Sequence, residues 1–258
     1  MKTKRNPILL LILCQLFLLQ TAASAAVMVT LHTIGPVSPT TVKNVTNAIH
    51  LTSSYMNEHF GLDFRENIDL SITPSKQRFA QLNAHNHIVG SIAGGSTYRH
   101  ITVYVPEGAS RAYTTGIIAH ELIHQYQFLI TPPDLLAKNM WFSEGMADLL
   151  SARITSTLQP DKLRQFQREA WTKSQAASLQ LSELTTQPDW SSHFGAGQPA
   201  YSRADLAMLY LSKNYGDKKL FDYINCLKTQ TADEALQSVY GLSITELDNR
   251  ISRPENFS

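Results

Sequence analysis

His120-Glu121-Leu122-Ile123-His124 is the segment whose residue types and spacing can do chemistry. It lies in an apolar stretch, from Tyr113 to Ile130, that reads as a helix. Side chains four residues apart on a helix stand one above the other, with Cβ atoms about 5–6 Å apart. Two imidazoles so placed converge on one ion at Zn–N distances of about 2.0–2.1 Å. Glu121 projects about 100° round the axis from His120, badly placed for a ligand but well placed to reach a water on the metal. With 9 His and 10 Glu in the chain, chance supplies the pattern about 0.01 times. The plain alternative is a buried helix with two satisfied histidines, and it predicts nothing further along the chain.

Further along stands Trp141-Phe142-Ser143-Glu144-Gly145-Met146-Ala147-Asp148-Leu149-Leu150. Pro132-Pro133 breaks the first helix, so the chain can return and bring Glu144 to the same ion. Asp148 follows Glu144 by one helical turn, on the same face, where it can hold the outer nitrogen of a ligand histidine and fix its tautomer. His120 is the expected partner. Two His and one Glu leave the fourth zinc position to water, the composition of a catalytic site rather than a closed structural one.

HELIH followed by WFSEGMAD resembles the gluzincin zinc metallopeptidases, and within them the exported family often called peptidase MA-like. The resemblance in motif covers residues 114 to 150. It implies an α+β, zincin-like fold, with a mixed α/β N-terminal lobe holding a small sheet and a mainly helical C-terminal lobe. It implies His120, His124 and Glu144 as Zn2+ ligands, Glu121 as general base and acid, and Asp148 as support. The activity implied is hydrolysis of a peptide or protein substrate. Such families stabilise the oxyanion with a second donor, a Tyr or His from the helical lobe. Tyr201 and His193 are the candidates. Tyr201 opens a helix (202–215) just after a Gly- and Pro-bearing loop, and reads equally as an aromatic packing residue. His193 stands in a Ser/Gly stretch, where a histidine is usually just solvated. Arg203 reads as a surface helix charge, with binding of a substrate carboxylate as its functional alternative. The Gly- and acid-bearing motif with which aminopeptidases of this clan grip a free amino terminus is missing, so endopeptidase action is expected.

Around these residues the chain divides in character. Residues 27–32, 68–72 and 100–106 alternate apolar and polar side chains and read as strands. Residues 38–59 and 75–84 read as helices. Gly90 to Gly95 reads as a loop or bulged strand. His85-Asn86-His87 sits in a polar stretch and reads as loop. From Ala112 onward nearly everything reads as helix, interrupted by prolines. A boundary near residue 110 therefore separates two lobes, 26–110 and 111–258, of one domain, since no linker-like tract intervenes. The resemblance to gluzincins implies that the strand Ile101 to Val105 forms the upper edge of the cleft, where an extended peptide can add by backbone hydrogen bonds.

The 258 residues are 43% apolar and 17% charged, which excludes a disordered chain. Residues 1–25 read as an export signal: Lys2, Lys4 and Arg5, an apolar run from Ile8 to Leu19, then Ala23-Ser24-Ala25 before the cut. The run is shorter than the ~20 apolar residues that span a bilayer. Without that segment 19 basic groups face 21 acidic ones, which gives no electrostatic reason to expect nucleic acid or an anionic membrane as partner. The mature chain keeps one cysteine, Cys226, and can form no internal disulfide. The expected location is periplasmic or secreted, without stable membrane association after cleavage. The alternative to a peptidase is a zinc-containing binding or scaffolding protein of the cell envelope. Oligomeric state and substrate side-chain preference are left open by the sequence.

Overall fold

A computed structural model of the chain describes residues 28–85, 93–175, 178–193 and 199–253. The expected export signal and most of His85-Asn86-His87 lie outside the described residues. The first half carries four strands: β1 (Val29–Thr33), β2 (Ile68–Thr73), β3 (Gly94–Thr97) and β4 (His100–Tyr104). They form one mixed sheet in the order β1-β2-β4-β3. β1 and β2 are parallel, β2 and β4 are parallel, and β3 runs antiparallel to β4. Parallel neighbours need a crossover, and helices α1 (Pro39–Phe60) and α2 (Lys76–His85) lie in the two connections.

α1 forms where the sequence predicts it. Ser38 accepts a hydrogen bond from the Thr41 N–H at its start, and Gly61 closes it in the left-handed conformation. Its buried positions Val45, Ala48, Ile49, Thr52 and Met56 recur at helical spacing and make one stripe. On β2 the side chains of Ile68, Leu70 and Ile72 are fully buried, the alternation expected of a strand with one face on the core. On β4 Ile101, Thr102 and Val103 are all buried, as suits an interior strand with α2 packed on it.

The second half is helical: α3 (Arg111–Ile130), α4 (Pro133–Leu136), α5 (Met140–Ser156), α6 (Lys162–Gln175), a 3₁₀ turn (Leu181–Leu184), α7 (Gln187–Ser192), α8 (Pro199–Tyr215), α9 (Lys218–Cys226), α10 (Ala232–Tyr240) and α11 (Ile244–Ile251). α5 is the innermost, packed against α1, α3, α6 and α8. Trp141, Phe142, Met146, Leu149, Leu150 and Ile154 on it are fully buried, and burying each such side chain contributes roughly 1.5–3 kcal/mol. α5 and α8 approach closely at Gly145, where a Cβ would stand 2.8 Å from the carbonyl oxygen of Ala204. One apolar cluster runs from Val45 in α1 to Ile251 in α11. None of the described helices is long and apolar enough to cross a membrane.

The architecture is α+β, with a small mixed sheet followed by helices, as the sequence leads one to expect. Two expectations are corrected. The strand at residues 100–104 is interior, and the edge on its side of the sheet is β3, whose first two residues, Gly94 and Gly95, end the stretch read as loop or bulge. Gly94-Gly95-Ser96-Thr97 has little strand propensity of its own, and its pairing with β4 holds it extended. Arg203 is not a surface charge. It is buried, and its guanidinium donates to the Asp248 carboxylate from Nη2 at 2.7 Å and Nε at 3.1 Å.

Candidate metal centre

α3 supplies His120 and His124, and α5 supplies Glu144 and Asp148. The two Nε2 atoms of the histidines are 3.1 Å apart. Glu144 Oε2 lies 3.4 Å from His120 Nε2, and Glu144 Oε1 lies 3.6 Å from His124 Nε2. Ligands about 2.05 Å from a tetrahedral ion stand about 3.3 Å from one another, so the three groups already have the separations of a coordination triangle. Among the described residues they are the one such group, with ligand atoms within 4.8 Å of one another.

The outer ring nitrogens explain why the inner ones converge. His120 Nδ1 is 2.7 Å from Asp148 Oδ1, so its N–H donates to that carboxylate. His124 Nδ1 is 2.9 Å from Gln127 Oε1. The Gln127 amide is oriented by its Nε2, which donates to the Ser143 carbonyl at 2.9 Å, so its oxygen must face His124 as an acceptor. The Ser143 hydroxyl donates to that same oxygen at 2.8 Å. With each Nδ1 engaged by its acceptor, both Nε2 atoms face each other and the Glu144 carboxylate, an arrangement that a shared cation satisfies. Burial alone would lower the His120 pKa, but Asp148, Glu144 and Glu121 together raise it well above its ordinary value. Surroundings that favour a proton there equally favour a metal cation that displaces it. Glu144 is held below its ordinary range despite burial, by His124 and His120 and by a hydrogen bond from Tyr201. The donor set and its spacing therefore fit a divalent metal ion.

Glu121 points to the sheet rather than into the triangle. The Ser96 hydroxyl on β3 donates to its Oε2 at 2.6 Å. Gly94, two residues earlier on the same face of β3, lets the backbone close on this carboxylate: a Cβ there would stand 2.2 Å from Oε1. Burial raises the Glu121 pKa, against the pull of His120, His124 and the Ser96 hydrogen bond.

The other expected residues fall out differently. Tyr201, near the start of α8, is half-buried, and its hydroxyl hydrogen-bonds Glu144 while its ring meets Trp190 edge-on at 4.8 Å. It is therefore both a packing aromatic and a polar group of the centre. His193 caps the end of α7 and is absent from the cavity wall. The loop between it and α8, residues 194–198, lies outside the described residues.

Three residues at the centre escape the motif. Gln127 carried a signal, since it lies three positions after His124 on the same helix face. Ser96 and Asp205 carried none. Asp205 on α8 is buried and hydrogen-bonded to Asp148, and burial together with the Asp148 charge raises its pKa well above the carboxylate range.

The centre opens into a cavity of about 940 Å³. β3 forms one rim. Tyr104 N–H donates to the Ala93 carbonyl at 2.7 Å, and antiparallel alternation then turns the backbone groups of Gly95 toward β4 and those of Gly94 and Ser96 away from it. The walls carry Tyr98 and Tyr113, both exposed, and Phe128, Met140, Phe166 and Trp190. No family model matches the chain, and no curated protein matches it.

Proposed function

We propose that this chain is an exported zinc-dependent metallopeptidase of the gluzincin type, with a zincin-like fold, that cleaves within peptide chains. The observation that carries the reading is Glu121: a buried carboxylate one residue along from His120, held by Ser96 at the mouth of a large cavity and outside the three-ligand triangle. A site that only stabilises the fold has no use for an ionisable base beside an open coordination position.

His120, His124 and Glu144 would hold the ion. Bound there, zinc polarises a carbonyl and lowers the pKa of water toward ~7. Glu121 accepts a proton from the attacking water and returns it to the leaving amine. Its raised pKa brings it nearer the working pH, where a base also serves as an acid. Ser96 keeps the carboxylate oriented between the two transfers. The Tyr201 hydroxyl gives its single proton to Glu144 in the structure; with Glu144 engaged by the ion, that proton would be turned to the developing oxyanion instead. Gly94 and Ser96 offer outward backbone groups to which an extended substrate adds as a fifth strand. That contact recognises backbone, so side-chain preference is left to the cavity walls. Export is supported by residues 1–25.

The test is Glu121→Gln, read by metal content and by cleavage-site profiling on a proteome-derived peptide library. Wild type is expected to carry zinc and cut peptides, and the variant to carry zinc and cut none. A zinc-loaded wild type that cuts nothing would point instead to a binding or scaffolding protein. Wild-type turnover by Glu121→Gln would remove the mechanism.

A further inference from the structure

Gln125 lies one helical turn after Glu121 on α3, on the same face, and is fully buried. Both ends of its amide are engaged by the connection between β3 and β4. Nε2 donates to the Thr97 carbonyl at 2.9 Å, and Oε1 accepts the Arg99 N–H at 2.7 Å. A carbonyl needs a donor and an N–H needs an acceptor, so the amide fits in one orientation only. Thr97 ends β3, and Tyr98-Arg99 is the two-residue turn that leads to its paired residue His100.

Arg99 marks how closely this turn is held. Its φ of 65° is left-handed, a conformation disfavoured for a residue with a Cβ. Among the described residues no other non-glycine residue has a positive φ. Such a backbone persists where its surroundings fix it. Gln125 takes the Arg99 N–H, the Arg99 carbonyl accepts the Asp69 N–H at 2.9 Å, and Arg99 Nε donates to the Asn67 carbonyl at 3.0 Å. Of these bonds, the one to Gln125 alone comes from the helix that carries HELIH. That helix therefore holds the edge strand at two heights. Glu121 meets Ser96 and the backbone at Gly94, and Gln125 meets Thr97 and Arg99 one turn further on. The first contact belongs to the proposed base, which exchanges protons during turnover. The second is neutral and takes no part in the chemistry.

We infer that Gln125 is a positioning residue: it fixes where the edge strand stands along the metal-binding helix, and so which bond of a strand-added peptide comes to the metal centre. The inference rests on the peptidase reading above and deepens it. A peptide paired with the outward groups of Gly94 and Ser96 takes its register from β3. β3 in turn takes its place beside His120, Glu121 and His124 from the Gln125 clamp. The plainer role for a buried amide is to satisfy the turn for stability alone. That role would slow every substrate alike and would not depend on backbone pairing.

Gln125→Met separates the two, because it keeps the length of the side chain and removes both hydrogen bonds. Amide hydrogen exchange is measured first, without substrate. Residues 94–100 are expected to exchange about tenfold faster in the variant, with α5 unchanged. Turnover is then measured on a peptide taken from the wild-type cleavage profile, and on analogues N-methylated at one backbone amide each, away from the scissile bond. N-methylation deletes a donor that strand pairing uses. At a paired position it is expected to lower wild-type kcat/KM by about tenfold. In Gln125→Met the unmodified peptide is expected to be slower by about tenfold, with N-methylation costing less than about threefold more, because the clamp and the pairing act in series. Cuts are expected to spread to neighbouring bonds. Equal N-methylation costs in the two proteins, or unchanged exchange at residues 94–100, overturn the inference. Should Gln125→Met fail to fold, Gln125→Asn decides by the same measurements, since the shorter amide cannot span Thr97 and Arg99 together. A wild-type protein that cuts no peptide removes the peptidase reading, and this inference with it. A wild type that cuts peptides and loses nothing on N-methylation removes only the inference.

Discussion

Ser96 and Glu121 are joined by a 2.6 Å hydrogen bond from the edge strand to the second residue of the HELIH motif. The bond ties the proposed base to the same strand that would receive the substrate, so any shift of β3 moves both.

The bond has a consequence for pH dependence. The Ser96 hydroxyl donates to the ionised carboxylate and so lowers a Glu121 pKa that burial raises. A base must be ionised to accept a proton, so turnover falls as pH drops through this raised pKa. Ser96→Ala removes support for the ionised form, and the pKa rises further. The acid limb of kcat/KM is therefore expected to move upward by about one to two pH units, since a hydrogen bond to a charged group contributes about 1.5–3 kcal/mol net. A pH-rate profile of the variant checks this, and a shift to lower pH contradicts the orientation assigned to Glu121.

Tyr201 meets Trp190 with its ring and Glu144 with its hydroxyl, so Tyr201→Phe deletes one role and leaves the other. Thermal stability and zinc content are expected to stay close to wild type. kcat is expected to fall by about 10²–10³, the loss on removing one oxyanion donor. Turnover within a fewfold of wild type would reduce Tyr201 to packing and to shaping Glu144.

Arg203 is expected to matter for folding and not for substrate. Its partner Asp248 also accepts the Leu181 N–H at 2.9 Å, so the pair pins α11 and the 3₁₀ turn to α8. Burial raises the Asp248 carboxyl even with Arg203 beside it, so the intact pair fixes geometry more than it adds stability. Removing one partner is the costly change: Arg203→Ala leaves a buried charge alone, at about 3–5 kcal/mol. For a chain of this size that is a fall of about 10 °C in Tm. Zinc affinity of the folded variant should be unchanged. A raised KM with Tm preserved would instead restore Arg203 as a substrate contact.

The sequence by itself determined what is local. Spacing of four on one helix placed His120 with His124, and Glu144 with Asp148, because 3.6 residues make a turn wherever the helix lies. Apolar periodicity placed α1, and alternation placed β2 and β4. Tertiary structure decided which strand is the edge, because β3 owes its form to pairing with β4 and its own glycines carry no signal. It decided that Ser96 reaches Glu121 across 25 residues and that Asp148 takes His120 across 28. It buried Arg203 against Asp248, 45 residues away, where a helix charge alone reads as solvated. It also set Asp205 against Asp148, through a helix crossing that depends on the missing side chain of Gly145. Backbone periodicity is written in neighbouring residues, whereas the partners of a buried polar group depend on which helices and strands can approach, and that is fixed only when the whole core packs.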